Sequence, residues 1–199
     1  MMILPHEQRS PEWFKARLGV ITASNFAKVL SKGTTRRTYM LQLAAETLSD
    51  AQQPSFCNDA MQWGIDHEDE AANAYEFLTG NTVEPVSLCL LDHHNIGASP
   101  DGLVGDDGLI EIKCPNSTTH IEWAVAGKLP AKHKAQVQGQ LWVTERAWCD
   151  FISYDPRLEN SLFTVRVTRD DKYIETLNNA CMEFLSELEQ LIGQYRDAA

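Results

Sequence analysis

Two carboxylates and one lysine lie close together in the middle of the chain, in the stretch Ile96–Pro115. Asp101 opens a glycine-rich turn with two Asp-Gly pairs, and Glu111 and Lys113 follow it two residues apart. Asp-Gly beside alternating apolar residues favours a β-hairpin, which would bring Asp101 beside Glu111. Hard divalent cations such as Mg²⁺ prefer such oxygen ligands, and metal-assisted phosphodiester hydrolysis uses them. The stretch therefore predicts this chemistry.

The elements that carry these residues decide whether the pattern has a function. Side chains alternate along a strand, so Leu109, Glu111 and Lys113 share one face, and Ile110 and Ile112 the other. In a chain of this composition, Glu-x-Lys is expected by chance about 0.6 times, so the motif is weak by itself. An edge strand with a solvated Glu–Lys pair is an equally good interpretation of these residues alone.

Composition limits the class of protein. A chain of 199 residues with 43% hydrophobic content can bury one core, which predicts a single domain over residues 1–199. No apolar run is long enough for a membrane span, and no secretory signal is recognised. The five cysteines are dispersed and no C-x-x-C occurs, so neither a zinc site nor a disulfide framework is indicated. Because free thiols suit a reducing compartment, we expect a cytoplasmic protein. The cysteines are Cys57, Cys89, Cys114, Cys149 and Cys181.

The charge is unevenly distributed. The net charge of -11 argues against a general nucleic-acid coat, which would be basic. Residues 1–50, however, hold seven Lys or Arg against four Asp or Glu, whereas residues 51–100 hold eight Asp or Glu and no Lys or Arg. An acidic middle beside a basic N-terminal quarter fits a metal-dependent nuclease, and it fits an ordinary acidic protein equally well.

A candidate anion pocket lies in the N-terminal quarter. Ser10 and Pro11 begin a helix that runs to about Leu18. Thr22 or Ser24 then caps a short helix through Leu30, so that Arg17 faces a Ser/Thr-rich helix start where it could bind a phosphate. An exposed arginine beside a plain cap is the competing interpretation. A polar loop from Ser31 to Arg37 follows, and Thr38–Leu48 reads as a helix.

The clearest helix begins at Asn58 or Asp59 and ends near Leu78. Its apolar face leaves Glu68 and Glu70 on opposite shoulders, and periodicity does not choose between them.

The remaining elements predict an α/β fold, a central mixed β-sheet flanked by helices. In the second helix after the hairpin, Gln136, Gln140 and Lys132 share a face, which is typical either of an active site or of a plain surface helix. Thr168 and Asp171 resemble a capping box for a long terminal helix. The predicted strands are Val83–Leu91, Ile96–Ser99, Leu109–Lys113, Trp148–Tyr154 and Phe163–Val167, and the later helices are His120–Ala126, Ala131–Trp142 and a helix ending near Tyr195.

The chain resembles the PD-(D/E)XK nuclease superfamily, and within it the phage lambda exonuclease or YqaJ-like viral recombinase group. The resemblance extends from about Glu12 to Tyr173 and rests on seven short motifs in the family's order. They are R-L-G-V-I-T-A-S at Arg17–Ser24, W-G-I-D-H-E at Trp63–Glu68, S-P-D-G-L at Ser99–Leu103, E-I-K-C-P at Glu111–Pro115, A-Q-V-Q at Ala135–Gln138, W-V-T at Trp142–Thr144 and Y-D-P-R at Tyr154–Arg157.

The resemblance implies a role for each matching residue. Asp101, Glu111 and the carbonyl of Ile112 would bind metal, Glu68 would support a second metal or the water, and Lys113 would activate the attacking water. Gln136 matches a glutamine near the metals. A pocket for the 5′-phosphate of a DNA end would use Arg17, Ser24 and the loop residues Arg36 and Arg37.

The resemblance also implies an activity and its partners. The activity would be 5′-to-3′ exonucleolytic degradation of one strand of linear double-stranded DNA, with two Mg²⁺ per site, for which Mn²⁺ would substitute. The partners would be a single-strand annealing protein and two further copies of the chain in a homotrimeric ring, in a bacterial host cell and of phage or prophage origin. An endonuclease on the same core, or a non-catalytic DNA-binding protein, are the alternatives.

Overall fold

The protein is a mixed α/β structure in which helices flank two β-sheets. We describe residues 1–53, 59–92 and 95–198 from a computed structural model. The strands are β1 Met2–Ile3, β2 Ile21–Thr22, β3 Val83–Glu84, β4 Cys89–Leu90, β5 Ile96–Ala98, β6 Gly102–Val104, β7 Gly108–Lys113, β8 Trp148–Tyr154 and β9 Leu162–Thr168. The first sheet has the order β1-β4-β5-β2 and the second the order β3-β6-β7-β8-β9. The helices are α1 Pro11–Ala16, α2 Phe26–Leu30, α3 Thr34–Ser49, α4 Asp59–Thr79, α5 Ser117–Ala126, α6 Lys134–Thr144 and α7 Asp171–Asp197.

Strand β7 lies at the centre of the second sheet and carries the predicted motif. It pairs antiparallel with β6 in the expected hairpin, with Gly102 opposite Ile110. On its other side it pairs parallel with β8, with Glu111 opposite Phe151. The predicted hairpin and the α/β fold with a mixed sheet are therefore confirmed, although the strands divide into two sheets.

The two faces of β7 contribute to two different cores. Leu109 belongs to the larger apolar cluster, which also contains Leu141 of α6 and Phe184 of α7. Ile110 and Ile112 belong to a second cluster with residues of α4. The predicted alternation along the strand is confirmed, and β7 lies between α6 and α4.

The predicted loop over Ser31 to Arg37 is wrong in its second half. Helix α3 begins at Thr34, so Arg36 and Arg37 lie in its first turns. Gly33, with φ of 73°, turns the chain into the helix. The Arg36 guanidinium pairs with Glu187 of α7, a long-range contact that no local pattern reveals.

Two further boundaries differ from the predictions. The segment 83–91 is two short strands, because Pro85 lacks the N–H that a continuous ladder needs. The cap of α7 is Asp170, whose carboxylate accepts the Tyr173 N–H at 3.0 Å, and not Thr168 with Asp171. Helix α4 starts at Asp59, and Asn58, like Cys57, lies outside the described residues.

In the described part of the chain, none of the helices has the length and apolarity that crossing a bilayer requires.

Candidate active site

Asp101 extends the hairpin with its side chain. The Asp101 N–H donates to the Ile110 carbonyl at 3.2 Å, and Asp101 Oδ2 accepts the Ile112 N–H at 2.6 Å. Pairing between β6 and β7 stops at Ile110, so the carboxylate takes the place of the next ladder partner. The N–H and C=O of one strand residue point to the same side, so the Ile112 carbonyl also faces this edge beside Asp101.

Glu111 is the buried centre of the site, with 1% of its surface exposed. Its Oε1 accepts a hydrogen bond from Gln136 Nε2 at 2.5 Å and also pairs with Lys113 Nζ. Its Oε2 accepts from Gln140 Nε2 at 2.5 Å. A buried carboxylate must be compensated by such donors, and charge-assisted bonds of this kind are strong.

Gln140 is a site residue to which the family resemblance assigns no role. The spacing of four residues already places it on the face of Gln136, and that spacing is the signal that finds it. On another face of α6, Gly139 lets the helix pack closely against Phe26 of α2. A Cβ at Gly139 would lie 2.1 Å from the ring of Phe26.

Glu68 of α4 reaches the same site from the other side of β7. It lies with Asp101 and Lys113 in the lining of a cavity of about 540 Å³, and it is one of the carboxyl groups whose proximity raises the pKa of Asp101 after burial and Glu111. Glu70, on the opposite shoulder of α4, is not among the residues that line this cavity and lies near Tyr154, whose pKa is raised by burial and then by Glu70. The structure therefore resolves the choice that helical periodicity left open in favour of Glu68.

A residue that sequence analysis missed also lies at this cavity. Arg9 lines it and forms an ion pair with Glu68. No motif marks Arg9, because it stands in the loop before α1 and meets Glu68 only in the folded chain.

The site is electrostatically crowded. Burial, and then the neighbouring charges of Glu111 and Glu68, hold the pKa of Asp101 well above its ordinary value. Burial opposes the charged form of Lys113, but Glu111 and Asp101 outweigh it and raise the pKa of the lysine above its ordinary value. Lys113 is therefore a cation at neutral pH, and three carboxyl groups repel one another around it.

The donor set suits a divalent cation. Within residues 1–53, 59–92 and 95–198, no three His, Cys, Asp or Glu side chains form a ready-made metal cage. Mg²⁺, however, retains several waters and needs only one or two carboxylates from the protein. Burial, and then repulsion by Glu111 and Glu68, raise the pKa of Asp101, and a bound cation would relieve that repulsion. Asp101, Glu111, Glu68 and the Ile112 carbonyl are the oxygen donors that would hold it.

The predicted phosphate pocket contains Arg17 but not all of its proposed partners. The Arg17 guanidinium lies 4.0 Å from the centre of the Trp13 ring and lines a cavity of about 170 Å³. Burial lowers its pKa, and its Nη1 lies 3.5 Å from the hydroxyl of Ser99, two residues before Asp101. Ser24 is exposed, and its hydroxyl pairs with Thr22, which does line the cavity.

Arg36 and Arg37 lie apart from that cavity. Neither is among its lining residues. Arg36 Nη2 donates to Glu187 at 2.9 Å, and Arg37 Nη1 lies 3.9 Å from the sulfur of Met40. The structure thus brings Arg17 close to the carboxylate site through Ser99, and does not bring these two arginines to the same cavity.

Comparison with known proteins gives one family and two closely similar structures. The family described as the YqaJ-like viral recombinase domain matches residues 12–147. Two crystal structures of LHK-Exo, an alkaline exonuclease from Laribacter hongkongensis, are 44% and 43% identical to the chain with a TM-score of 0.91. Each match covers 95% of this chain and 97% of that one, and one of the two structures is a complex with dAMP.

More distant proteins are also similar. A phage-related exonuclease from Haemophilus somnus is 15% identical with a TM-score of 0.69 and matches over 88% of this chain and 96% of its own, a likeness of fold alone. The uncharacterised protein R354 of Acanthamoeba polyphaga mimivirus is 28% identical over 165 residues, which is 73% of this chain. The chain spans only 29% of the length of that mimivirus protein.

Proposed function

Because the chain belongs to the YqaJ-like viral recombinase domain family, we propose that it is a Mg²⁺-dependent exonuclease that degrades the 5′-terminated strand of linear duplex DNA. Family membership and the two alkaline exonuclease structures support the nuclease part of this proposal. The observation that carries the finer proposal is the buried Glu111, held by Gln136, Gln140 and Lys113 beside Asp101. The product would be 3′ single-stranded DNA for recombination by strand annealing.

The residues of the site divide the chemical work. Lys113, kept charged by Glu111 and Asp101, would orient the attacking water and stabilise the negative charge that develops on the phosphate. Gln136 and Gln140 keep the Glu111 carboxylate fixed. Two Mg²⁺, or Mn²⁺ in their place, would supply a more acidic bound water and charge neutralisation at the leaving oxygen.

Arg17 supports a preference for DNA ends. Its half-buried guanidinium lines a small cavity and adjoins Ser99, which precedes the hairpin carboxylate by two residues. A guanidinium binds a terminal phosphate well because its N–H groups match the phosphate oxygens. We expect the 5′-phosphate of the DNA to occupy this cavity while the first phosphodiester lies at Asp101 and Glu111.

The assembly and the partner follow from the family resemblance. A homotrimeric ring would place basic residues along a central channel and leave the acidic charge outside, which reconciles a net charge of -11 with DNA binding. A single-strand annealing protein would receive the product strand. Sedimentation of the purified chain tests the trimer directly.

Digestion of a 5′-phosphorylated linear duplex tests the function. We expect nucleotide release with Mg²⁺, none with EDTA, and release slowed about 10²–10³-fold in the Lys113→Ala variant. Covalently closed circular DNA is the second substrate, and an end-dependent exonuclease leaves it intact. Cleavage of the circle would favour the endonuclease alternative, and no release with any divalent cation would refute the enzyme.

A further inference from the structure

The segment before α1 is fixed to the active-site hairpin. The Gln8 amide donates to the Val86 carbonyl at 2.7 Å and to the Pro100 carbonyl at 2.8 Å. Pro100 is the residue before the hairpin carboxylate Asp101. The Leu4 N–H also donates to the carbonyl of Leu88, the residue before strand β4, at 3.0 Å. These bonds hold the residue after Gln8 at the mouth of the site.

Arg9 occupies that place in an unfavourable backbone conformation. Its φ is 68°, in the left-handed region that glycine adopts easily and arginine rarely does. Its side chain lines the cavity that Glu68, Asp101 and Lys113 also line. Strained residues that persist in a fold cluster at functional sites, so this conformation, combined with its position at the cavity, indicates a role there.

The ion pair of Arg9 with Glu68 is exchangeable. The Arg9 side chain is 45% exposed and that of Glu68 is 21% exposed, so solvent screens their attraction. A divalent cation at the Glu68 carboxylate would compete with the guanidinium for it. A guanidinium released at this cavity would face a phosphate of bound DNA, which it binds as readily as a carboxylate.

We propose that Arg9 binds a phosphate of the DNA strand in the active site and exchanges Glu68 for that phosphate when a divalent cation takes the Glu68 carboxylate. The proposal rests on the proposed nuclease function. The Arg9 guanidinium adds a positive charge to a site dominated by carboxylates, in a chain whose net charge of -11 repels DNA. Lys132, which lines the same cavity with its ammonium 4.8 Å from the Trp123 ring centre, is a second cation for the same strand.

DNA binding by Arg9→Gly tests the phosphate contact. Glycine adopts the φ of 68° without strain, so the variant retains its fold. With Ca²⁺ in place of Mg²⁺, fluorescence anisotropy of a 5′-phosphorylated duplex should show a Kd weakened about three- to tenfold, and a salt dependence shallower by about 0.9 in log–log slope. Arg196→Ala, at an exposed arginine in the last turn of α7, is the control and should match the wild type.

Mn²⁺ binding without DNA tests the exchange at Glu68. Calorimetric titration should show that Arg9→Gly binds Mn²⁺ about two- to fivefold more tightly than the wild type, because the competing guanidinium is gone. In a Glu68→Gln background the same change should have no effect. Arg9→Gly is thus expected to weaken DNA binding and to strengthen Mn²⁺ binding. General unfolding would weaken both and cannot produce this pair of results.

The outcomes separate the inference from the function. Wild-type DNA binding that Arg9→Gly leaves unchanged in affinity and salt slope overturns the phosphate contact. Unchanged Mn²⁺ affinity overturns the exchange. A wild-type chain that binds no duplex DNA in any divalent cation overturns the proposed function, and the phosphate contact with it.

Discussion

Replacing Gln140 by leucine should destabilise the protein in a way that a divalent cation partly reverses. Gln140 is 1% exposed, and its Nε2 donates to Glu111 Oε2 at 2.5 Å. Its own Oε1 is buried and has no partner among the described residues. The substitution therefore removes one donor from a buried carboxylate and, at the same time, one unpaired oxygen.

The expected magnitude follows from these two effects. A hydrogen bond to a buried charged group contributes about 1.5–3 kcal/mol, and removing the unpaired amide oxygen returns about 1 kcal/mol. The net loss in free energy of unfolding is about 0.5–2 kcal/mol, and the middle of that range lowers Tm by about 4 °C in a domain of this size. A cation bound by Glu111 would compensate the orphaned oxygen, so saturating Mg²⁺ or Mn²⁺ should reduce this difference to about 2 °C.

Gln138→Leu is the matched control for the thermal melts. Gln138 lies on the same helix and is 2% exposed, but it bonds the Thr168 carbonyl and the Asp170 N–H, each at 2.8 Å. Its Tm deficit should be the same with and without the cation. A Gln140→Leu deficit that also ignores saturating cation would refute the reasoning that Glu111 binds metal.

Three further changes test the site. Lys113→Ala should lower the nucleotide release rate about 10²–10³-fold while duplex binding stays within about twofold, and lost binding would contradict the assigned role. Asp101→Asn should raise the Tm of the cation-free protein at pH 8 but not near pH 4. The pKa of Asp101 is raised in the folded protein, so the wild type loses stability as the pH rises above the ordinary pKa of an aspartic acid. Equal Tm gains at both pH values would contradict this. Arg17→Ala should abolish the rate preference for 5′-phosphate over 5′-hydroxyl ends. Arg36→Ala should retain that preference, because Arg36 pairs with Glu187. Loss of the preference in both variants would show that Arg36 also binds the 5′-phosphate.

Local patterns predicted the parts of the fold that depend on neighbours in the chain. Asp-Gly pairs and alternation predicted the hairpin and both faces of β7, because the turn and the pleat are short-range properties. Ser10 was expected to cap α1, and its hydroxyl accepts the Trp13 N–H at 3.2 Å. The breaks at Gly33 and Pro85 were missed because each belongs to an apparently continuous stretch of loop or strand.

The site was predicted less completely, because three of its contacts join distant segments. Helical periodicity left Glu68 and Glu70 equivalent, and only the packing of α4 on β7 separates them. Gln140 was on the right face but had no partner until α6 docked against Glu111. Arg9 carries no pattern at all and meets a residue 59 positions away.

The side-chain bond from Asp101 to the Ile112 N–H has a consequence for the order in which the protein folds. It closes a loop of only 11 residues, and hairpins form in about 1–10 μs. We therefore expect the two acidic groups of the hairpin to meet before α4 and α6, which need long loop closures, bring Glu68, Gln136 and Gln140. During that interval their repulsion is uncompensated by the amides, so a divalent cation in the refolding buffer should accelerate the early step by screening it.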